Sequence, residues 1–140
     1  MQEPIPVFFQ RLADAFLAGD HGWLAGIYTY RLVVYIEGEI ALERTPDVTL
    51  GKLFERRGMA LLAGTCSIRS ETLKVGKPVD GRFPVRVDWL FISADGREIT
   101  RNELRYFCRQ TPGGEIRIEI LEFIRRGFTA SGQVRPLSRQ

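Results

Sequence analysis

In the run Ile116, Ile118, Ile120, Glu122, Ile124, one carboxylate replaces isoleucine in an every-second-residue pattern. Such alternation marks a β-strand whose alternate side chains share one face. If that face is the core, Glu122 sits in apolar company, where ionisation is costly without partners. A carboxyl group so placed titrates high and can act as general acid or base in an elimination or isomerisation. Glu122 is therefore the candidate catalytic residue. Two structural alternatives stand beside it: a bulge near Leu121 that turns it outward, or a rim ion pair with Arg101 or Arg125.

A second constellation follows from Asp95-Gly96, a strong hairpin-turn signal. Read as a two-residue loop, it pairs Phe83 with Cys108, Val85 with Tyr106, Val87 with Leu104, Trp89 with Asn102 and Phe91 with Thr100. This is one apolar face with a polar patch at one end. Trp89 and Tyr106 offer a ligand apolar area, while Thr100 and Asn102 can fix its orientation. Tyr28, Tyr30 and Tyr35 lie where a helix gives way to a strand, as at a pocket mouth, and Tyr30 joins the ligand-binding candidates. The opposite face pairs Arg86 with Arg105, Asp88 with Glu103, Leu90 with Arg101 and Ile92 with Ile99. Opposite charges meet on its diagonals. That mixed surface suits a two-fold homodimer through the outer sheet face around Leu90, Ile92, Ile99 and Phe107.

Other chemistries find few residues. His21 is the only histidine among 140 residues, which argues against a histidine-rich metal site or a Ser-His triad. Cys66 and Cys108 are far apart within apolar stretches and read as reduced core thiols rather than a disulfide or zinc framework. There is no phosphate-cradling glycine loop and no GxSxG, so no cofactor and no metal are expected. The net charge of +3 is unevenly spread: residues 1–50 carry three basic and seven acidic side chains, and residues 101–140 carry eight and four. The late arginines alternate with acids and apolar residues, so sequence-specific nucleic-acid binding is not expected. No apolar run reaches the roughly 20 residues of a membrane helix, and the start does not read as a signal peptide. The expectation is a cytoplasmic protein without membrane partners.

The elements that must position these residues follow from periodicity. Phe8, Leu12, Ala15 and Phe16 form an apolar stripe over a helix at residues 4–18, closed by Gly19. Asp20 caps a short second helix containing Trp23, Leu24 and Ile27. Residues 32–36 and 40–42 read as a hairpin about Glu37-Gly38. Thr45-Pro46 opens a third helix that should bury Leu50, Leu53, Phe54 and Leu61. Strands follow at residues 65–74, 83–93, 98–109 and 115–125. From residue 127 the chain lacks periodicity and acids, and reads as a flexible basic tail. The class is α+β: N-terminal helices packed on a strongly curved antiparallel sheet, one domain over residues 1–126.

The stretches FLAGDHGWLAGIY, LVVYIEGE, VDWLFISADGREI and RYFCRQTPGGEIRIEILEFIRR, in this order, resemble the nuclear transport factor 2-like superfamily. That group includes SnoaL-like polyketide cyclases, ketosteroid isomerase and scytalone dehydratase. The resemblance implies a cone-shaped, cystatin-like sheet around the long helix, a pocket in the cone and often a dimer through the sheet's outer surface. The isomerase chemistry is not carried over. Its tyrosine donor would fall near Leu12, its aspartate base near Ile36 and its late-strand acid near Arg105. The histidine-dependent dehydratase chemistry finds only His21.

Together these readings give a small dimeric domain holding a small, largely apolar ligand in its cone, with lyase or isomerase chemistry as an extension through Glu122. The alternative is a noncatalytic protein-binding or assembly module whose cone is packed shut.

Overall fold

The computed structural model describes residues 3–135. Helix α1 spans Ile5–Ala18, opened by Pro4, whose φ suits a helix start, and closed by Gly19 at φ +73°. Asp20 caps α2 (His21–Ile27) by accepting a hydrogen bond from the Trp23 amide at 3.3 Å. Strands β1 (Tyr28–Ile36) and β2 (Glu39–Glu43) flank Glu37-Gly38, whose φ angles of +50° and +80° make the primed turn that suits strand twist. Thr45 caps α3 (Pro46–Leu62). The long strands β3 (Thr65–Val75), β4 (Arg82–Ser93), β5 (Glu98–Gln110) and β6 (Ile116–Arg125) complete the chain's regular structure.

The six strands form one sheet in the order β2-β1-β6-β5-β4-β3. All pairings are antiparallel except β1 with β6, which is parallel, so the sheet is mixed rather than purely antiparallel. The helices cover one face. Phe9 of α1 meets Tyr106 at 4.8 Å between ring centroids, and Phe16 meets Trp89 at 5.3 Å. Gln10 joins α1 to the edge strand β3: its amide donates to Ile68 O at 2.8 Å and accepts from Ser70 N at 2.9 Å. One side chain thus satisfies two backbone groups that an edge would leave open.

The expected register of β4 on β5 is present from Phe83–Cys108 through Phe91–Thr100, with Val85, Val87, Trp89, Leu104 and Tyr106 buried together. The turn itself differs. Ser93 N donates to Arg97 O and Gly96, at φ +84°, donates to Ser93 O, which makes a three-residue loop ending in a left-handed glycine. Ile92 consequently pairs with Glu98, not Ile99, and a bulge between Phe91 and Ile92, with Ile99 of β5 as its extra residue, restores the phase.

Two further expectations are corrected. In α3 the inward residues are Thr49, Leu53 and Ala60, while Phe54 and Leu61 are exposed. Of the four expected inward residues, Leu53 is buried and Leu50 packs half-buried against the core, and the helix is turned just far enough to leave Phe54 and Leu61 outside. The stretch from residue 127, expected as part of a flexible tail, folds back over the sheet as far as residue 135. Phe128 is buried against Phe91 at 5.1 Å and bridges to Val134, and Arg135 N donates to Gly127 O at 2.8 Å. The rest of that expected tail, residues 136–140, lies outside the described residues. Among the described residues, no helix is long and apolar enough to cross a membrane.

Candidate functional site

The curved sheet and α3 enclose a cavity of about 40 Å³. Its floor is the concave face: Trp89 and Phe91 from β4, Asn102, Leu104 and Tyr106 from β5, and Leu121 and Phe123 from β6. Leu53, Arg56 and Met59 line it from α3, Phe16 from α1 and Tyr28 from the start of β1. Arg126 and Phe128 close the remaining side, so the returning C-terminal segment forms part of the wall. At roughly 10–15 Å³ per water, the space holds about three water molecules. A ring-sized ligand would require side chains such as Met59, unbranched and adaptable, to move.

Three of the proposed ligand residues, Trp89, Asn102 and Tyr106, come together here. Asn102 is committed in part: its Oδ1 accepts from Gly127 N at 2.7 Å. The indole N–H of Trp89 is buried without a hydrogen-bond partner. Thr100 is fully buried but lies behind the lining, its hydroxyl within reach of Gly127 O at 3.1 Å and Arg135 O at 3.2 Å. It anchors the C-terminal segment and does not face the cavity. Tyr30 also stands apart, in a polar cluster with Thr49 and Glu43, where Thr49 donates to Glu43 at 2.8 Å.

Glu122 is not on the core face. Strand β6 carries an extra residue, Glu119, between Ile118, which pairs with Cys108, and Ile120, which pairs with Phe107. Past this bulge the phase reverses. Leu121 and Phe123 turn to the cavity, and Glu122 turns to the outer face beside Arg105, which donates to it at 2.7 Å. The catalytic expectation for Glu122 rested on inward placement, and that placement is wrong. The correct partner is neither Arg101 nor Arg125 but the residue directly opposite on β5.

Arg56 was not anticipated. It lies on the inward stripe of α3 at helical spacing from Thr49, Leu53 and Ala60. Its guanidinium sits over the Phe123 ring, 5.0 Å from the centroid, a cation–π arrangement. Among the described residues it forms no ion pair or hydrogen bond. Burial lowers its pKa and the nearby Glu43 carboxylate opposes that shift. Guanidinium remains charged regardless. The phenols of Tyr28 and Tyr106 are likewise without hydrogen-bond partners among the described residues. Burial raises both pKa values: in Tyr28 the Arg56 charge opposes the rise, and in Tyr106 the neighbouring Tyr28 adds to it. Both are neutral hydrogen-bonding groups at physiological pH.

Glu37, at the β1–β2 turn, accepts from Arg135 at 2.7 Å and Arg126 at 3.5 Å, and so holds down the segment that closes the cavity. Among the described lining residues there is no aspartate, glutamate or histidine. The arrangement can hold a ligand by apolar contact, hydrogen bonds and the cations Arg56 and Arg126. His21 is exposed at the start of α2, away from these groups. No group of three metal-binding side chains occurs among the described residues.

No family model matches the chain, and neither does any curated protein. Solved structures do. A cystatin-like domain of unknown function from Nostoc punctiforme superposes with a TM-score of 0.65 at 17% identity, covering 91% of this chain and 77% of that one. An NTF-2 like protein of unknown function from Shewanella oneidensis gives 0.61 at 10% identity, covering 84% and 95%. A de novo designed protein with a curved β-sheet gives 0.55 at 14% identity, covering 84% and 95%. Helix order, the curved six-stranded sheet and these superpositions agree: the chain has the nuclear transport factor 2-like, cystatin-like fold.

Proposed function

We propose that this domain binds a small, largely apolar ligand in the cavity between α3 and the concave sheet face. The supporting observation is the combination of aromatic walls with polar groups that have no hydrogen-bond partner among the described residues, namely the two phenols, the Trp89 indole and Arg56. Buried polar groups usually find partners. A ligand that brings acceptors and donors would supply them. With no carboxylate or imidazole in the described lining, the reading is of binding, and lyase or isomerase chemistry through Glu122 is set aside.

Calorimetric titration with small ring compounds tests this, with Leu104→Trp as the variant that fills the cavity. Saturable binding lost in that variant supports the reading. Equal binding by both proteins places the ligand elsewhere and sinks it.

The small cavity volume favours a second reading, a packed cone in an assembly or protein-binding module. The exposed apolar side chains of Phe54 and Leu62 on α3 and Ile40 on β2 would then be its working surface. A homodimer through the outer sheet face fits either reading, although Leu90 is already buried within the chain, leaving half-buried Ile92, Ile99 and Phe107. Sedimentation of the protein and of Ile92→Lys separates these. An outer-face dimer dissociates in the variant; a dimer through α3 does not, and a monomer at micromolar concentration ends the dimer proposal.

A further inference from the structure

We propose that the ligand is an anion, a small carboxylate on an apolar, ring-sized body, with Arg56 as its counter-charge. The proposal rests on the cavity reading above and narrows it. Arg56 carries five donors, lines the cavity from α3 and is left by the described protein groups with only the face of Phe123. A cation withdrawn from water without a carboxylate partner favours an anionic guest, and guanidinium fits a carboxylate in a two-point fork. A second cation, Arg126, lines the same cavity. Its tie to Glu37 is long at 3.5 Å, and Glu37 is shared with Arg135.

The Glu43 carboxylate, which accepts from the Thr49 hydroxyl and is not part of the lining, acts on Arg56 through space only, with no ion pair or hydrogen bond between them, so the guanidinium donors are left to a guest. Tyr28 and Tyr106 add two hydroxyls able to donate to a carboxylate oxygen. Apart from Asn102, the remaining walls are Phe, Trp, Leu and Met side chains, which favour a monoanion with an apolar body over a highly hydrated inorganic dianion.

Titration of the full chain with benzoate, its neutral counterpart benzamide, and inorganic phosphate tests this, in the wild type and in Arg56→Met and Arg56→Lys. Benzoate is expected to bind roughly 10- to 100-fold more tightly than benzamide, the range for losing a charge-assisted hydrogen bond. Arg56→Met should abolish that preference, and Arg56→Lys should keep part of it. Benzoate and benzamide binding alike in the wild type would overturn the anion proposal and leave the cavity reading standing. Phosphate binding as tightly as benzoate would overturn the role of the apolar body. If neither ring compound binds, the cavity reading itself falls and this inference with it. Should Arg56→Met fail to fold by circular dichroism, the wild-type preference and its decrease in Arg56→Lys decide the matter.

Discussion

Replacing Gly127 with alanine should loosen the wall that the C-terminal segment contributes to the cavity. A Cβ built at this position would lie 2.6 Å from Arg101 O and 2.7 and 2.8 Å from Cγ2 and Oγ1 of Thr100. Arg101 O belongs to β5, where Arg101 pairs with Leu90 of β4 and the ladder to β6 begins two residues on at Glu103, so the backbone there has little freedom to retreat. Gly127 must move instead. Doing so stretches its hydrogen bond to Asn102 at 2.7 Å and the one it accepts from Thr100 at 3.1 Å. Two such bonds contribute about 1 kcal/mol each, and forced overpacking costs about 1–3 kcal/mol, so both routes predict a loss near 2 kcal/mol.

Urea denaturation should show a lower midpoint for Gly127→Ala with an unchanged slope. Adding Thr100→Ala removes the two side-chain contacts but leaves Arg101 O in place, so the double variant should not recover wild-type stability. A Gly127→Ala midpoint within about 0.5 kcal/mol of wild type would refute the close-packed seal.

Glu122→Gln should cost less than about 1 kcal/mol, because its ion pair with Arg105 is about one-third exposed on both sides, at 34% and 36%. It should leave cavity binding unchanged, whereas a pH-dependent change in ligand affinity would return Glu122 to the site. Burial, aided by Glu103, raises the pKa of Asp88 against the pull of Arg101, so its stabilising contribution is full below pH 3.8 and is lost as pH rises through the folded value. Asp88→Asn should therefore flatten the stability profile above pH 3.8, and an unchanged profile in denaturation series would contradict it. Burial, with a smaller push from Glu119, takes the Cys108 thiol up to about 12, while Cys66 is exposed. A thiol reagent should label Cys66 in the native protein and both cysteines in urea; rapid native labelling of Cys108 would show that its strand opens.

The β4–β5 register was legible because one turn and two alternating strands constrain each other, and an error of one residue would have exposed Trp89. The three-residue turn escaped notice because the bulge near Ile92 cancels it two residues later. In β6 the same kind of irregularity was fatal to the reading of Glu122, since strict alternation assumes that no residue is inserted. Arg56 was hidden by phase. Leu50, Leu53, Phe54 and Leu61 offered a more apolar stripe than Thr49, Leu53 and Ala60, and a charged residue on the inward stripe argues against itself in any hydrophobic count. The fold of residues 127–135 depends on long-range contacts from Thr100, Asn102 and Glu37, none of which is visible as local periodicity.

The extra residue Glu119 in β6 couples the shape of the cone to its chemistry. A bulge increases local bend and twist, and here it also decides which of two alternating sets of side chains looks inward. With the bulge, the last strand presents Leu121 and Phe123 to the cavity; were Glu119 instead held in regular strand, the alternation begun by Ile116 and Ile118 would bring Ile120 and Glu122 inward. Deleting Glu119 would leave Ile118, Leu121 and Phe123 on one face, so it is the placing of the extra residue out of the ladder, with every residue kept, that separates a carboxylate-free chamber from an acidic one. In a fold of this kind, pocket chemistry can diverge by whether an extra strand residue is bulged out or kept in the ladder, as well as by replacement of the residues that touch the ligand.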